Sequence, residues 1–140
     1  MALDPGSVEW LDQQVERLKR RYVDVRLRHH DKYGVAHLSL IVPIDPGWIN
    51  GINRVEQRFV LLRTTLPACF PFLEPRFGFS VAGPIRLPGG QIPAFSHDEE
   101  HESGIFTYFM WRVVEGAWSW SMCDLNTWIH VCRRRFAIAE

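Results

Sequence analysis

The stretch 55–79, VEQRFVLLRTTLPACFPFLEPRFGF, decides the fold of this chain. It contains two apolar segments, Val55 to Leu62 and one that runs from Arg76 on to Val81. Proline has no backbone N–H and fixes φ, so neither a helix nor a central strand continues through the segment between them, where every fourth residue is proline. We therefore predict a strand, then an irregular crossing, and then a second strand. The crossing is expected to pack against the domain through its apolar residues, which are Leu66, Phe70, Phe72 and Leu73.

The hydrophobic period changes before this stretch. After the start signal Asp4-Pro5-Gly6-Ser7, apolar residues recur at helical spacing and predict an amphipathic first helix. From Tyr22 the period becomes two, with Val23, Val25 and Leu27 alternating with charged residues, which predicts a half-buried strand. A turn at 31–34 leads to a second alternating segment, 36–42, which we expect to pair antiparallel with the first strand.

Three loops are predicted around the later strands. Residues 43–53 contain Pro-Gly and Asn-Gly turns, and Trp48 within them either folds back onto the core or is an exposed anchor for a partner. Residues 83–90 are rich in turn residues. Residues 91–104 are predicted to form a long loop that carries the polar run Ser96-His97-Asp98-Glu99-Glu100-His101.

The chain ends in a second helix. Ser121, with Asp124 three residues later, indicates a capping box, and cations at 133–135 suit the last turn because they complement the helix dipole. One face of this helix is apolar and consists of Leu125, Trp128, Ile129, Cys132 and Phe136. The predicted fold is a single α+β domain over 1–140: N-terminal helix, four-stranded antiparallel meander, long loop and C-terminal helix, with the helices on one face of the sheet.

Composition excludes several classes of function. The 140 residues carry 16 basic and 16 acidic side chains, so the long-range field of a dedicated nucleic-acid binder is missing. We expect the arginine clusters at 17–28 and 133–135 to be solvated faces or, alternatively, a basic docking patch for an acidic protein partner. No 18-residue apolar run and no secretory leader are present, so we expect a cytoplasmic protein that does not bind membranes.

In this order the elements resemble the ubiquitin-conjugating-enzyme (UBC) fold, and in particular the bacterial branch called prokaryotic UBC family E. The resemblance covers roughly 20–136. The residues that carry it are Phe70-Pro71, Glu74-Pro75-Arg76-Phe77 before the fourth strand, Trp118-Ser119 before the last helix, Pro46-Gly47-Trp48, and Pro84-Ile85-Arg86-Leu87.

The resemblance implies a cysteine that carries a ubiquitin-like protein as a thioester, in the extended stretch after strand four, since a thiolate is a strong nucleophile. That stretch reads Phe106 to Val114 here and contains no cysteine. The His-Pro-Asn tripeptide that precedes the nucleophile in the family is also missing, and only His97 or His101 stands near its place.

Three cysteines without CxxC spacing disfavour a disulfide framework and a cysteine zinc site. Cys69, in the proline crossing, is expected to be a small buried residue, and Cys132 lies on the apolar helical face. Cys123 is predicted in the first turn of the last helix, where the dipole would lower its pKa. Cys123, with His101, is therefore the outside candidate for a catalytic role.

The run His97-Asp98-Glu99-Glu100-His101 matches the H-x-x-E-H pattern, in which two histidines one helical turn apart bind zinc. Pro93 and Ser103-Gly104 flank it, and it lacks an apolar face, which favours a solvated loop. We predict no metal and no cofactor, although a metal-dependent hydrolase built on His97, Glu100 and His101 is a third hypothesis.

The leading hypothesis is a UBC-like adaptor without thioester chemistry, and the alternative is an active conjugating enzyme that uses Cys123. The resemblance implies three kinds of partner: a ubiquitin-like protein, a ThiF-type activating enzyme and a JAB-type isopeptidase. Exposed aromatics on loops often supply binding hot spots, although each could instead be core. The candidate binding residues are Trp48, Phe70, Phe72, Tyr108 and Trp111.

Overall fold

A computed structural model describes residues 5–30, 34–68, 70, 75, 78–110, 118 and 124–136. Two helices and eight strands occur in these residues. In chain order they are α1 (Pro5–Lys19), β1 (Val23–His30), β2 (Val35–Pro43), β3 (Ile49–Asn50), β4 (Phe59–Leu66), β5 (Phe79–Gly83), β6 (Ile85–Arg86), β7 (Ser96–His101), β8 (Gly104–Phe109) and α2 (Leu125–Arg133), followed by a 3₁₀ turn (Arg134–Phe136). No described helix has the length and apolar character that crossing a membrane requires.

The predicted α+β class, with a helix at each end of an antiparallel sheet, is confirmed. Six strands form one sheet in the order β1-β2-β4-β5-β8-β7, and every pairing in it is antiparallel. The strands β1, β2, β4 and β5 are the predicted meander. The short strands β3 and β6 pair separately.

The predicted long loop at 91–104 is wrong, and so is the count of four strands. The structure has a hairpin there, in which β7 pairs with β8 and β8 also pairs with β5. The charged run 96–101 lacks a two-residue apolar pattern because β7 is an edge strand, where charged side chains are common and protect against further pairing.

Two strand boundaries differ from the prediction. The third strand of the meander is Phe59–Leu66 rather than Val55 to Leu62, because residues 55–57 pair with 48–50 instead of with β2. The Asn50 side chain accepts hydrogen bonds from the N–H groups of Ile52 and Asn53, at 2.8 and 3.3 Å. Glu56 accepts a hydrogen bond from the N–H of Gly47, at 3.1 Å, so it closes the loop 43–53 instead of entering the sheet.

A β-bulge at the start of β1 explains an exposed apolar residue. The register shifts between Val23 and Arg26, and Asp24 has φ of 53°. This irregularity interrupts the alternation that the sequence shows, so Val25 is buried while Val23 is 62% exposed.

Both helices pack on one face of the large sheet, called here the inner face. One cluster of buried side chains joins Leu11, Val15 and Leu18 of α1 to the inner residues of the strands and to α2. The apolar face predicted for the second helix is confirmed, because all five of its residues are fully buried. Each such side chain contributes about 1.5–3 kcal/mol to folding.

The start of the second helix differs from the prediction. Asp124, not Ser121, is the N-cap, and its side chain accepts a hydrogen bond from the N–H of Thr127 at 2.9 Å. The Thr127 hydroxyl accepts a hydrogen bond from the Asp124 N–H in return, at 3.2 Å. This reciprocal box satisfies two N–H groups that the first helical turn leaves without partners.

The described part of the proline crossing packs as expected. Leu66, Phe70 and Pro75 are buried, and the Phe70 ring lies 5.9 Å from Trp10 and 5.6 Å from Trp118. The predictions for Phe72 and Leu73 lie outside the described residues.

Candidate functional site

The structure separates the five candidate binding aromatics. Trp48 and Phe70 are buried, and Trp48 packs edge-on against Phe136 with ring centroids 5.1 Å apart. Both rings therefore belong to the core, and neither is an exposed anchor for a partner. Tyr108 is half-buried on the face of the sheet that the helices leave open, whereas Phe72 and Trp111 lie outside the described residues.

The stretch expected to hold a thioester cysteine is in part a strand. Residues 106–109 belong to β8, which is hydrogen-bonded to strands on both sides, and the stretch from 111 onward lies outside the described residues. Cys132 is fully buried, and burial raises the pKa of its thiol well above the usual range. A thiol in that state is neither ionised nor accessible, which disqualifies it as a nucleophile.

Cys69 and Cys123 lie outside the described residues. The prediction that Cys123 is in the first turn of the last helix is nevertheless wrong, because α2 begins at Leu125 after the N-cap Asp124.

The His-Asp-Glu-Glu-His run occupies β7 rather than a helix, so the H-x-x-E-H spacing does not bring two histidines together on one helical turn. Alternation along the strand instead places His97, Glu99 and His101 on one face. The Glu99 carboxylate lies 2.9 Å from His97 Nε2 and 3.4 Å from His101 Nε2. No group of His, Cys, Asp and Glu in the described ranges is arranged to hold a metal ion.

The face opposite the helices, called here the outer face, carries a row of polar side chains that crosses all six strands. Cross-strand partners lie on the same face of a sheet, so the register identifies the members directly. The row, called here the polar row, consists of Arg26, Ser39, Arg63, Ser80, Tyr108 and His97. The sequence hypotheses missed it because no two members are closer than 11 residues along the chain.

A groove of about 690 Å³ lies over this face and is called here the outer groove. Arg26, Arg28 and Arg63 line its β1–β4 side, together with His37, whose Nδ1 is 3.2 Å from the Thr65 hydroxyl. The acidic residue that lines the groove is Glu99, at the β7 edge. The outer groove is therefore basic on one side, within a chain of zero net charge.

A second polar cluster connects β6 to the hairpin. Arg86 forms a bidentate pair with Asp98, with N–O distances of 3.1 and 2.5 Å, and Asp98 also accepts a hydrogen bond from Thr107 Oγ1 at 3.0 Å. The same Thr107 oxygen accepts a hydrogen bond from the Ile85 N–H at 2.9 Å. The hydrogen bonds from Arg86 lower the pKa of Asp98, and those to Asp98 raise the pKa of Arg86. This cluster fixes the position of the hairpin.

Two residues with large, exposed apolar side chains are neighbours at the open end of the hairpin. Phe95 is 79% exposed and Met110 is 63% exposed. Their backbones are neighbours, since the Met110 N–H donates to the Phe95 carbonyl at 3.1 Å. Phe95 has φ of 56°, which is uncommon for a bulky residue. This pair is called here the apolar pair.

No family model, no curated protein and no solved structure matches this chain. The likeness to the UBC fold therefore depends on the motifs quoted from the sequence and on the order of the elements. The features described above offer surfaces for binding, and the one described cysteine is sealed in the core.

Proposed function

We propose that this protein is a UBC-like adaptor of a bacterial ubiquitin-like modification system, which binds a ubiquitin-like protein or its activating enzyme without carrying a thioester. The observation that carries the proposal is the order of the elements: α1, then β1, β2, β4 and β5, which are neighbours in the large sheet, and then α2 on the inner face. The UBC fold has the same succession, and the hairpin β7–β8 would be an addition to it.

The distribution of cysteine supports a binding role. Between the end of β5 and the start of α2 the sequence has one cysteine, Cys123, directly before the N-cap of α2. The resembling enzymes have their nucleophile earlier, in the stretch that here includes β8. An adaptor does not need a thiol, because it acts by contact alone. The cytoplasm, with the activating enzyme and an isopeptidase as neighbours, is the proposed location.

The apolar pair is the proposed contact surface of the adaptor. Phe95 and Met110 would be buried in the complex, and an exposed aromatic beside a flexible methionine is well suited to filling a pocket on a partner. Arg135 connects this region to the 3₁₀ turn after α2, since its Nη2 donates to the Ala94 carbonyl at 2.7 Å. The surface is thereby presented on a fixed part of the molecule.

The test is complex formation, measured by titration calorimetry with a ubiquitin-like protein and a ThiF-type activating enzyme from the same genome. Phe95→Ser and Met110→Ser should each weaken binding at least about tenfold, as expected for hot-spot residues. The matched control is Ile52→Ser, which alters an equally exposed apolar side chain (70%) on a different loop and should bind as the unmodified protein does.

Two results would overturn the adaptor. One is the absence of a complex with either partner. The other is a reductant-sensitive covalent product that depends on Cys123, which would make the protein an active conjugating enzyme. An equal loss of binding in the Ile52→Ser control would remove the apolar pair as the contact surface.

A further inference from the structure

The outer face carries an exposed apolar region beside the polar row. The register pairs Val23 with Ile41 and Ile41 with Leu61, so these side chains form one row across β1, β2 and β4. Pro43 and Phe59 pair in the next row. Val23 is 62% exposed and Phe59 is 59% exposed. The five residues, called here the apolar stripe, form the kind of apolar surface that marks an interaction site.

The apolar stripe ends before it reaches β8. Alternation along β5 places Ala82 on the same face as Ser80, and Ala82 pairs with Phe106 of β8. The Phe106 ring is covered by the Arg63 guanidinium carbon, 4.2 Å from its centroid, and by the His101 ring, with centroids 5.4 Å apart. The exposed apolar surface therefore lies toward β1, where neither helix covers it, because both pack on the inner face.

The two edges of the outer face carry opposite charges. On β1, Arg26 and Arg28 lie on this face, since each pairs with an outward residue of β2. On β7, Glu99 lies on the same face, since it pairs with an outward residue of β8. The two edges are five strand spacings apart, or about 24 Å. The face is thus divided into apolar and polar rows in one direction, and it changes from basic to acidic in the other.

A second copy of the chain matches this pattern when a two-fold axis runs parallel to the strands. Such an axis lays each row of one sheet over the same row of the other sheet, so the two apolar stripes meet. It also exchanges the edges, so that Arg26 and Arg28 of one protomer lie over the partner's Glu99. A two-fold axis across the strands would instead place these arginines over the same arginines of the partner.

The outer face is large enough for a dimer interface. Its six strands are five to nine residues long, so the face measures about 24 by 29 Å, or roughly 700 Å² in each protomer. A standard interface buries about 800 Å² in each partner. Two sheets that pack face to face lie about 10 Å apart, a distance that arginine and glutamate side chains on facing edges can span together.

We propose that the outer face is the interface of a symmetric homodimer, in which the two sheets pack face to face. The apolar stripes are in contact, and Arg26 of each protomer lies beside the partner's Glu99. The two outer grooves meet and hold water between the polar rows, as protein interfaces commonly do. The apolar pair takes no part in these contacts, so the dimer does not depend on the adaptor function.

Sedimentation velocity of the protein alone, over a range of concentrations, tests the dimer. We expect a shift from monomer to dimer in the micromolar range, the weak end for an interface of this size. Phe59→Asp and Val23→Asp each place a charge in the apolar contact and should weaken the dimer at least about tenfold. Both positions are more than half exposed in the protomer, so the variants should keep the fold, which circular dichroism verifies.

The matched control is Ile92→Asp. Ile92 is 62% exposed, as Val23 is, but it lies in the loop before β7. Arg135 of the 3₁₀ turn after α2 contacts the Ala94 carbonyl of that loop, which places the loop beside the inner-face elements. Ile92→Asp should therefore change the affinity of the dimer less than about twofold, since the loop is outside the proposed interface.

A charge exchange tests the direction of the axis. Arg26→Glu and Glu99→Lys should each weaken the dimer at least about threefold, because each brings like charges together. The two substitutions in one chain should restore the dimer, since every contact between positions 26 and 99 again joins opposite charges. The two positions are about 24 Å apart within one protomer, so only contact between protomers explains the recovery.

The proposal is overturned if the protein is a monomer at about 1 mM, where even weak complexes form. It is also overturned if Ile92→Asp dissociates the dimer as strongly as Phe59→Asp does, or if the double variant does not recover. A monomer that binds a ubiquitin-like protein through Phe59 would likewise contradict it, because the apolar stripe would then serve that partner. The variants leave Phe95 and Met110 unchanged, so failure of the dimer is distinguishable from failure of the adaptor.

Discussion

A single threonine hydroxyl connects three parts of the core. Trp128 Nε1 of α2 donates to Thr64 Oγ1 at 3.0 Å, and the Thr64 hydroxyl donates to the Gly78 carbonyl at 3.1 Å. Both side chains are buried. Buried polar groups require partners, so this relay fixes α2 against β4 and against the segment that enters β5.

Thr64→Val should lower the free energy of unfolding by about 1–3 kcal/mol, because the indole N–H and a carbonyl would both lose a partner in the core. Urea denaturation measures the change. The control is Thr65→Val, the next residue on the same strand, which faces the outer side and loses only a part-buried contact with His37, so it should lower the stability less than Thr64→Val does, by about 0.5–1 kcal/mol. Equal losses in the two variants would contradict the role of the relay.

The burial of Cys132 leads to a second prediction at the residue scale. Its pKa is raised by desolvation, so the thiolate is scarce at neutral pH and the sulfur is inaccessible. Iodoacetamide should leave Cys132 unmodified in the native protein and alkylate it in concentrated urea, as shown by peptide mass spectrometry. Rapid alkylation of the native Cys132 would place a reactive thiol where the structure has core.

Periodicity predicted single residues well where the backbone is regular. The buried face of α2 follows from the 3.6-residue period alone, and the inward residues of β2 follow from alternation. It failed for Val23, where a bulge with positive φ at Asp24 interrupts the alternation. A bulge depends on pairing with the neighbouring strand, which a local pattern does not contain.

At the scale of elements, the hairpin β7–β8 is the main departure from the predicted fold. Its first strand is charged because it lies at the edge of the sheet, and this made it resemble a solvated loop in sequence. The bidentate pair of Arg86 and Asp98 and the hydroxyl of Thr107 connect it to β6. Long-range pairing of this kind is set by tertiary contacts, so it could not be read from the segment itself.

Asp98 gives this cluster a defined pH dependence. Its folded pKa is lowered, so the stability it contributes is present above the unfolded value of about 3.9 and is lost as pH falls through the folded value. Asp98→Asn should lower stability at neutral pH by about 1 kcal/mol, a small effect because the carboxylate is partly exposed.

The difference in stability between Asp98→Asn and the unmodified protein should shrink as pH falls below about 4, which urea denaturation across pH measures. Glu100→Gln, on the same strand, is the control and should show no comparable change. A difference that stays constant down to the lowest pH would contradict an ionised Asp98 as the stabilising group.

At the scale of the whole molecule, the two faces of the sheet have different roles. The inner face holds both helices and nearly all of the large buried side chains, whereas the outer face holds the polar row and the outer groove. The sequence predicted the inner face, because hydrophobic patterning specifies it. Neither the outer groove nor the apolar pair was predicted, because each forms only when distant strands pair.

The adaptor proposal also belongs to the whole molecule, since it depends on the order of elements and on the absence of cysteine from 70–122. The most direct measurement is intact mass, recorded without reductant, after incubation with ATP and the two proposed partners, an activating enzyme and a ubiquitin-like protein. The account predicts the unmodified mass together with a non-covalent complex on a sizing column. The contradicting result is an adduct whose mass equals this protein plus the ubiquitin-like protein less one water. Dithiothreitol would remove that adduct, and Cys123→Ser would not form it.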